Sequence, residues 1–351
     1  MKSSFILLRI QNHQLNNILA FCYQQRLMSQ LKHIAVTGGT GHLGTAIILR
    51  LLERGFNVVA QYRMHKPTIE NQNLQWIKGD LSDVEHLKEL FTGREAVIHC
   101  AGLISIGEKS LSALEKVNVT GTKNVIQVCL EYPNIRLIHI SSSNAVQEFS
   151  ENGVFNEEQE YVTNKDFGYS YSKAKAEIEI LNSVKNLRLD AVILRPTAIV
   201  GPPDYKPSLM GQTILDFVRK KFPILTTGGY DIVDLRDVAE SAINSIEMGE
   251  KGEIYLLGGH YVTVAELAKL SNPNYNPKLI PIHVLLLLMP FINLYQKLFK
   301  TNLPITRESL LTLKNAPKKV DSSKAKRVLK HNPRPVKETI TDLTTWFKTH
   351  K

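Results

Sequence analysis

Eight residues constrain this chain more than any others: Thr37-Gly38-Gly39-Thr40-Gly41-His42-Leu43-Gly44. A short, apolar, β-rich run (32–36) leads straight into them. Residues 45–54 follow, and apolar Leu43, Ala46, Ile47 and Leu51 recur at helical spacing, with Gly55 placed to end that helix. The glycines therefore fall on a strand-to-helix turn. There Gly38 permits a tight turn, Gly41 lets the backbone approach a pyrophosphate, and Gly44 lets helix and strand pack closely. Free N–H groups at the helix start then bind phosphate oxygens. With a second strand predicted at 57–62, the order is that of a dinucleotide-binding unit.

The pattern continues. Strand-like runs at 74–78, 96–100, 137–140 and 191–194 alternate with helical patterns at 84–91, 111–130 and 169–184. Such alternation predicts an α/β fold, a Rossmann-type doubly wound parallel sheet. Beyond Pro202 the alternation breaks: 222–229 and 253–257 read as strands and 263–270 as a helix. We therefore expect 1–27 to be an extension, 28–201 to be mainly the nucleotide-binding domain, and 202–351 to be mainly a smaller C-terminal substrate lobe. Some C-terminal segments are expected to return to the first domain.

The end of the second strand meets the adenosine ribose in such folds, where an acid would bond the 2′-hydroxyl of NAD(H). Here the chain reads Gln61-Tyr62-Arg63-Met64-His65-Lys66, with two cations and no carboxylate. A 2′-phosphate would be favoured, so NADP(H) is expected over NAD(H), with Arg63 as its contact.

Charge is unevenly spread. The chain carries +10 overall, but residues 28–280 carry −3, residues 1–27 carry +3 and residues 281–351 carry +10. The body is thus slightly acidic, which excludes nucleic acid from the prediction. The basic ends are read as solvated surface, with weak contact between the basic C-terminal region and a phospholipid surface as the alternative. Cys22, Cys100 and Cys129 form neither a disulfide framework nor a metal-ligand cluster, which suits a reducing, cytoplasmic setting. Residues 1–27 show no clean signal-peptide core, and Met28 is a plausible start of the folded chain. Segment 279–296 is the most apolar, yet Pro281 and Pro290 break it, and its longest uninterrupted run (284–289) is too short to span a bilayer. A helix covering a pocket is expected there.

Taken in order, these motifs closely resemble the extended short-chain dehydrogenase/reductase family, within the NAD-dependent epimerase/dehydratase superfamily. The branch most similar is that of dihydroflavonol-4-reductase and 3β-hydroxysteroid dehydrogenase. The resemblance runs from about Lys32 to Phe347. It rests on the glycine turn, Gly79-Asp80-Leu81, His99-Cys100-Ala101-Gly102, Asn118-Val119-Thr120-Gly121-Thr122, Ser141-Ser142-Ser143, Tyr169-Ser170-Tyr171-Ser172-Lys173, Arg195–Pro202 and Val233–Ala239. It implies cofactor contacts from Gly38, Thr40, Gly41, His42, Leu43, Gly44, Asp80 and Leu81. Cys100, Ala101, Gly102 and Pro196 join them, with Cys100 standing where the family is usually small and apolar. Asn118 is assigned a structural role first. Family members often dimerise through helices flanking the sheet, so a homodimer is an implied partner besides a small-molecule substrate.

Tyr-x-x-x-Lys occurs four times: Tyr62/Lys66, Tyr161/Lys165, Tyr169/Lys173 and Tyr171/Lys175. Only Tyr169/Lys173 continues in the family's form, through Ser172 to Ala176-Glu177. Residues i and i+4 share a helix face, so an ammonium there would favour the phenolate. The resemblance then assigns Tyr169 proton exchange with the substrate oxygen and Lys173 the nicotinamide ribose. Ser143 is assigned the polarising hydroxyl, with Ser142 as second choice. The implied activity is hydride transfer between nicotinamide and a ketone or secondary alcohol of a small, fairly apolar molecule. Two alternatives stay open: a nucleotide-sugar epimerase or dehydratase, and a non-catalytic NADP(H)-sensing binding protein.

Overall fold

A computed structural model describes residues 33–104, 110–147, 153–165, 167–299 and 306–350. The reading of 1–27 lies outside them. Strands β1 (His33–Thr37), β2 (Asn57–Tyr62), β3 (Leu74–Lys78), β4 (Ala96–His99), β5 (Arg136–Ile140) and β6 (Asp190–Pro196) form a parallel sheet in the order 3-2-1-4-5-6. A seventh strand, Ile254–Leu257, extends it beside β6, also parallel. The central strands are buried on both faces, as parallel strands covered by helices must be.

Helix α1 (His42–Glu53) leaves the glycine turn, and Gly55, at φ +80°, follows its end in the left-handed region that glycine tolerates. Helix α2 (Val84–Phe91) starts from Asp83, whose carboxylate accepts the His86 N–H. The predicted helix at 111–130 has three parts: α3 (Leu111–Leu114), a π-helical stretch (Glu115–Thr120) and α4 (Gly121–Glu131). The wider turn coincides with Asn118 and is typical of functional positions. Helix α5 (Gly168–Leu187) carries the Tyr169/Lys173 pair.

The C-terminal part builds a mixed three-stranded sheet from β7 (Ala198–Val200), β9 (Gly229–Asp234) and β11 (His260–Thr263). A two-stranded sheet pairs β8 (Ile224–Thr226) with β12 (Lys278–Ile280). The seventh main-sheet strand is thus β10, reached after the chain has left the main sheet and come back through α6 (Leu209–Val218), β9 and α7 (Leu235–Met248). Helices α8 (Val264–Ser271), α9 (Ile282–Phe299), α10 (Arg307–Asn315), α11 (Ser323–Val328) and α12 (Val336–Thr349) complete the described chain.

Two readings change here. Residues 222–229 do not form one strand; β8 is three residues long, and Gly228, at φ +114°, turns the chain before β9. Pro290, expected to break the apolar run, lies inside α9. Ile282 and Met289 are buried with Leu310 and Leu313, so packing on α10 sustains the helix through a residue that forfeits one N–H bond.

Candidate active site

Strand β1 pairs with β2 on one side and β4 on the other, so the sheet reverses its strand order at β1/β4. Ligands of open α/β sheets bind in the crevice at that reversal, outside the carboxyl ends of the strands. The glycine turn lies there. Gly38 sits at φ +67°, and a Cβ on it would stand 2.6 Å from the Ala101 nitrogen. One on Gly44 would stand 2.2 Å from the Gly38 carbonyl oxygen. Thr40 and Gly41 are exposed at the tip, and Gly41 caps α1 without any side chain across its first N–H groups. That arrangement fits a pyrophosphate. His42 and Leu43 open the helix, and His42 Nε2 lies 2.8 Å from the Gly201 carbonyl oxygen beyond β7.

Cys100, Ala101 and Gly102 abut the turn: the Cys100 and Ala101 N–H groups donate to Thr37. Burial pushes the Cys100 thiol up to about 12, with the Lys173 charge opposing, so it is not a thiolate. At the ends of β2 and β3, the exposed Arg63 guanidinium comes within 3.8 Å of the Asp80 carboxylate. Asp80 also accepts from the Ser82 N–H and hydroxyl, which, with a smaller contribution from Arg63, hold it below the usual carboxylate range. Leu81 turns its side chain into the core against Gly121. Pro196 ends β6, buried.

Burial holds the Tyr169 phenol above its ordinary pKa, and the nearby Ser142 hydroxyl, after the end of β5, partly opposes it. Ser143, the first choice from the sequence, opens a short 3-10 turn (Ser143–Ala145), and Ser142 caps that turn by accepting the Asn144 N–H. Lys173 lies buried one helical turn after Tyr169. Its Nζ donates to the Ile140 carbonyl at 2.7 Å. Burial lowers its pKa to about 8, against the raising effects of Glu177 and Cys100. The bond to the Ile140 carbonyl satisfies a buried ammonium that would otherwise be costly.

Asn118 holds this corner together. Its side chain accepts from the Leu103 N–H at 2.7 Å and donates to the Leu103 carbonyl and the Ser172 hydroxyl. The other three Tyr-x-x-x-Lys tyrosines lie elsewhere. Tyr62 packs edge-on against Trp76, Lys175 stands over the Tyr171 ring, and the Tyr161 hydroxyl donates to Glu177.

Sequence reasoning missed the residues beneath the site. Glu177 and Arg195 are fully buried and joined by three N–H···O contacts, the shortest 2.6 Å. Ser141 and Tyr161 both donate to the same carboxylate, and Arg195 also donates to the Glu157 carbonyl. This network ties the serine run, α5 and the start of the Pro196 loop. Glu177 was visible as the last letter of the family pattern, and Arg195 as the neighbour of Pro196. Gln61 was missed as well: its Oε1 accepts the Gly38 N–H at 3.4 Å, and its Nε2 lies 3.1 Å from the His86 ring.

A cleft of about 490 Å³ opens beside Tyr169, between the 3-10 turn, residues 162–170 and α10. Val146, Val162, Phe167 and Leu311 give it apolar walls, and Asn144 and Gln147 give it amides. A second cleft, about 580 Å³, lies between α1, α7 and α12. Its charges already pair with one another, as Arg50 with Glu240 and Arg334 with Asp237, and only Ala46, Arg50 and Glu53 come from the helix after the turn.

The family model described as "NAD dependent epimerase/dehydratase family" matches residues 34–258. The chain belongs to this family. It is an extended short-chain dehydrogenase/reductase, and the family implies a nicotinamide dinucleotide cofactor. Among its relatives is "sterol demethylase protein B" of Methylococcus capsulatus, 32% identical over 326 residues, covering 89% of this chain and 97% of that protein. A putative dihydroflavonol 4-reductase of Synechocystis sp. is 29% identical over 329 residues, covering 90% and 94%. The crystal structure of gox2253 is similar with a TM-score of 0.77 at 30% identity, covering 91% of this chain and 98% of that one.

Proposed function

We propose that this family member is an NADP(H)-dependent oxidoreductase acting on a ketone or secondary alcohol of a small, fairly apolar molecule. The observation that carries this reading is the Tyr169 phenol beside the Ser142 hydroxyl after β5, with an apolar, amide-edged cleft lined by the adjacent Phe167 and Ser170. The relatives named for a dihydroflavonol and a sterol favour a substrate with such a body.

When bound, the nicotinamide would supply or accept the hydride. The glycine turn, His42 and Leu43 would hold the pyrophosphate on the first turn of α1, and Asp80 with the backbone of Leu81 would hold the adenine. Arg63 and the exposed Lys66 favour a 2′-phosphate. Ser142 or Ser143 donates to the substrate oxygen and polarises it. Tyr169 passes its phenolic proton to that oxygen in reduction and takes it back in oxidation. A phenol held above its ordinary pKa is protonated at neutral pH, which suits the reductive direction. Lys173 contributes one buried cation beneath the serines and beside Cys100.

The test is titration of the full chain with NADPH and NADH, followed by nucleotide fluorescence, and then a panel of apolar ketones. Arg63→Ala should weaken NADPH by about tenfold and leave NADH nearly unchanged. Tyr169→Phe should keep NADPH binding and lose at least about 100-fold in kcat. Tightly retained NAD with no ketone reduction would favour epimerase or dehydratase chemistry, and NADPH binding without any turnover would favour a sensor.

A further inference from the structure

Helix α9 is apolar on two opposite sides. Ile282, Leu285, Leu286, Met289 and Ile292 pack into the C-terminal core with Leu310 and Leu313 of α10. Away from them, Val284, Leu287, Leu288, Phe291 and Leu298 are exposed; Leu287 is 77%, Phe291 69% and Leu298 68% open to solvent. At the helical period these five side chains fall within an arc of about 100°. A helix that is apolar all round is ordinarily buried all round, and among the described residues this one is docked on one side alone. The β12–β8 pair leading into it adds half-exposed Leu279 and Ile224.

The surroundings indicate what covers the open face. Between residues 272 and 319 the chain has seven basic residues and one acid, Glu308. Lys278, Arg307, Lys314, Lys318 and Lys319 are exposed. An apolar face on a helix whose neighbouring segments in the chain carry exposed cations matches the interface of an anionic bilayer, with side chains among the acyl chains and ammonium groups at the phosphates. A second copy of this chain, docked face to face, would bring two such basic sets together. No described helix is long and apolar enough to cross a membrane, so α9 would lie in the surface plane. We propose that the exposed face of α9 seats the protein on the surface of an anionic phospholipid bilayer. This goes beyond the proposed reaction and does not depend on it. It also has a geometric consequence: α10, which packs on α9, supplies Leu311, Thr312 and Asn315 to the cleft beside Tyr169. The cleft then stands one helix away from the lipid.

The experiment is flotation of the full chain with phosphatidylcholine vesicles, with and without phosphatidylglycerol. Wild type should float with the anionic vesicles and release as salt rises. Leu287→Gln with Phe291→Gln should lower the bound fraction by about tenfold or more. Its NADPH binding and melting temperature should match wild type, since both side chains point to solvent. Lys314→Glu with Lys318→Glu should weaken flotation as added salt does, and it keeps the test open if the first variant misfolds. No flotation of wild type would overturn the proposal, as would equal flotation of the Leu287/Phe291 variant. A dimer in solution that this variant splits into monomers would also overturn it, assigning the face to a second copy.

Discussion

Replacing Glu177 by Gln removes one charge from a pair shielded from water on all sides. Arg195 would remain, 1% exposed, with a guanidinium whose counter-ion is gone. Breaking a buried pair from one side typically costs about 3–5 kcal/mol, because the surviving charge is left uncompensated. For a chain of this size about 2–3 °C is lost per kcal/mol, so the melting temperature should fall by roughly 6–15 °C. Glu177→Leu with Arg195→Met removes both charges. It leaves only the Ser141 and Tyr161 hydroxyls and the Glu157 carbonyl without partners, at about 1 kcal/mol each. The doubly apolar variant should therefore be no less stable than Glu177→Gln alone, a non-additivity that a urea-denaturation cycle measures directly. A Glu177→Gln cost below about 1 kcal/mol, or costs that simply add, would refute the claim that the pair is held by mutual compensation in a dry site.

Three further outcomes are expected. Lys173 has a folded pKa of about 8 against its ordinary 10.5, so its burial penalty is complete below pH 8 and is relieved as pH rises from 8 to 10.5. Wild type should gain up to about 3 kcal/mol over that window relative to Lys173→Met in urea melts at stepped pH, and parallel curves would sink the assignment. Gly44→Ala places a methyl 2.2 Å from the Gly38 carbonyl oxygen; it should destabilise the fold by about 1–3 kcal/mol and weaken NADPH more than tenfold, and unchanged titrations would contradict this. Both ring nitrogens of His139 are buried without a hydrogen-bond partner among the described residues, and burial, then the Lys173 charge, keep the ring neutral. His139→Leu should thus leave the melting temperature unchanged or raise it, and a loss above about 2 kcal/mol would mean that the ring has a bonding role.

Much of the main sheet was legible because its signals are local. Five-residue apolar runs, the glycine turn and the helical spacing of Leu43, Ile47 and Leu51 each stand within one element. The smaller sheets were not legible, since β7, β8 and β12 have three residues each and owe their existence to partners far along the chain. Pro290 misled for a related reason: propensity argued for a stop, and the packing of Met289 and Ile292 overrode it. At the candidate site, pattern alone singles out Tyr169 among four tyrosines. Pattern does not separate Ser142 from Ser143, because neighbours after one strand end differ only in which way each hydroxyl points. Glu177 and Arg195 are 18 positions apart on a helix and a strand, and nothing in either segment alone marks them as partners.

The late arrival of β10 bears on how the protein is made. Ribosomes deliver 33–200 first, with β6 as an open edge and the α1 face that α7 later covers still bare. Unpaired edges and exposed apolar faces attract other chains. The first half is therefore not a unit that can be cut out. Its sheet closes only when residues 254–257 emerge, so synthesis must pass through a sticky intermediate that persists for some fifty residues of elongation, and the small lobe, tethered at β7 and again at β10, is laid down as a loop within a fold still waiting for its last strand.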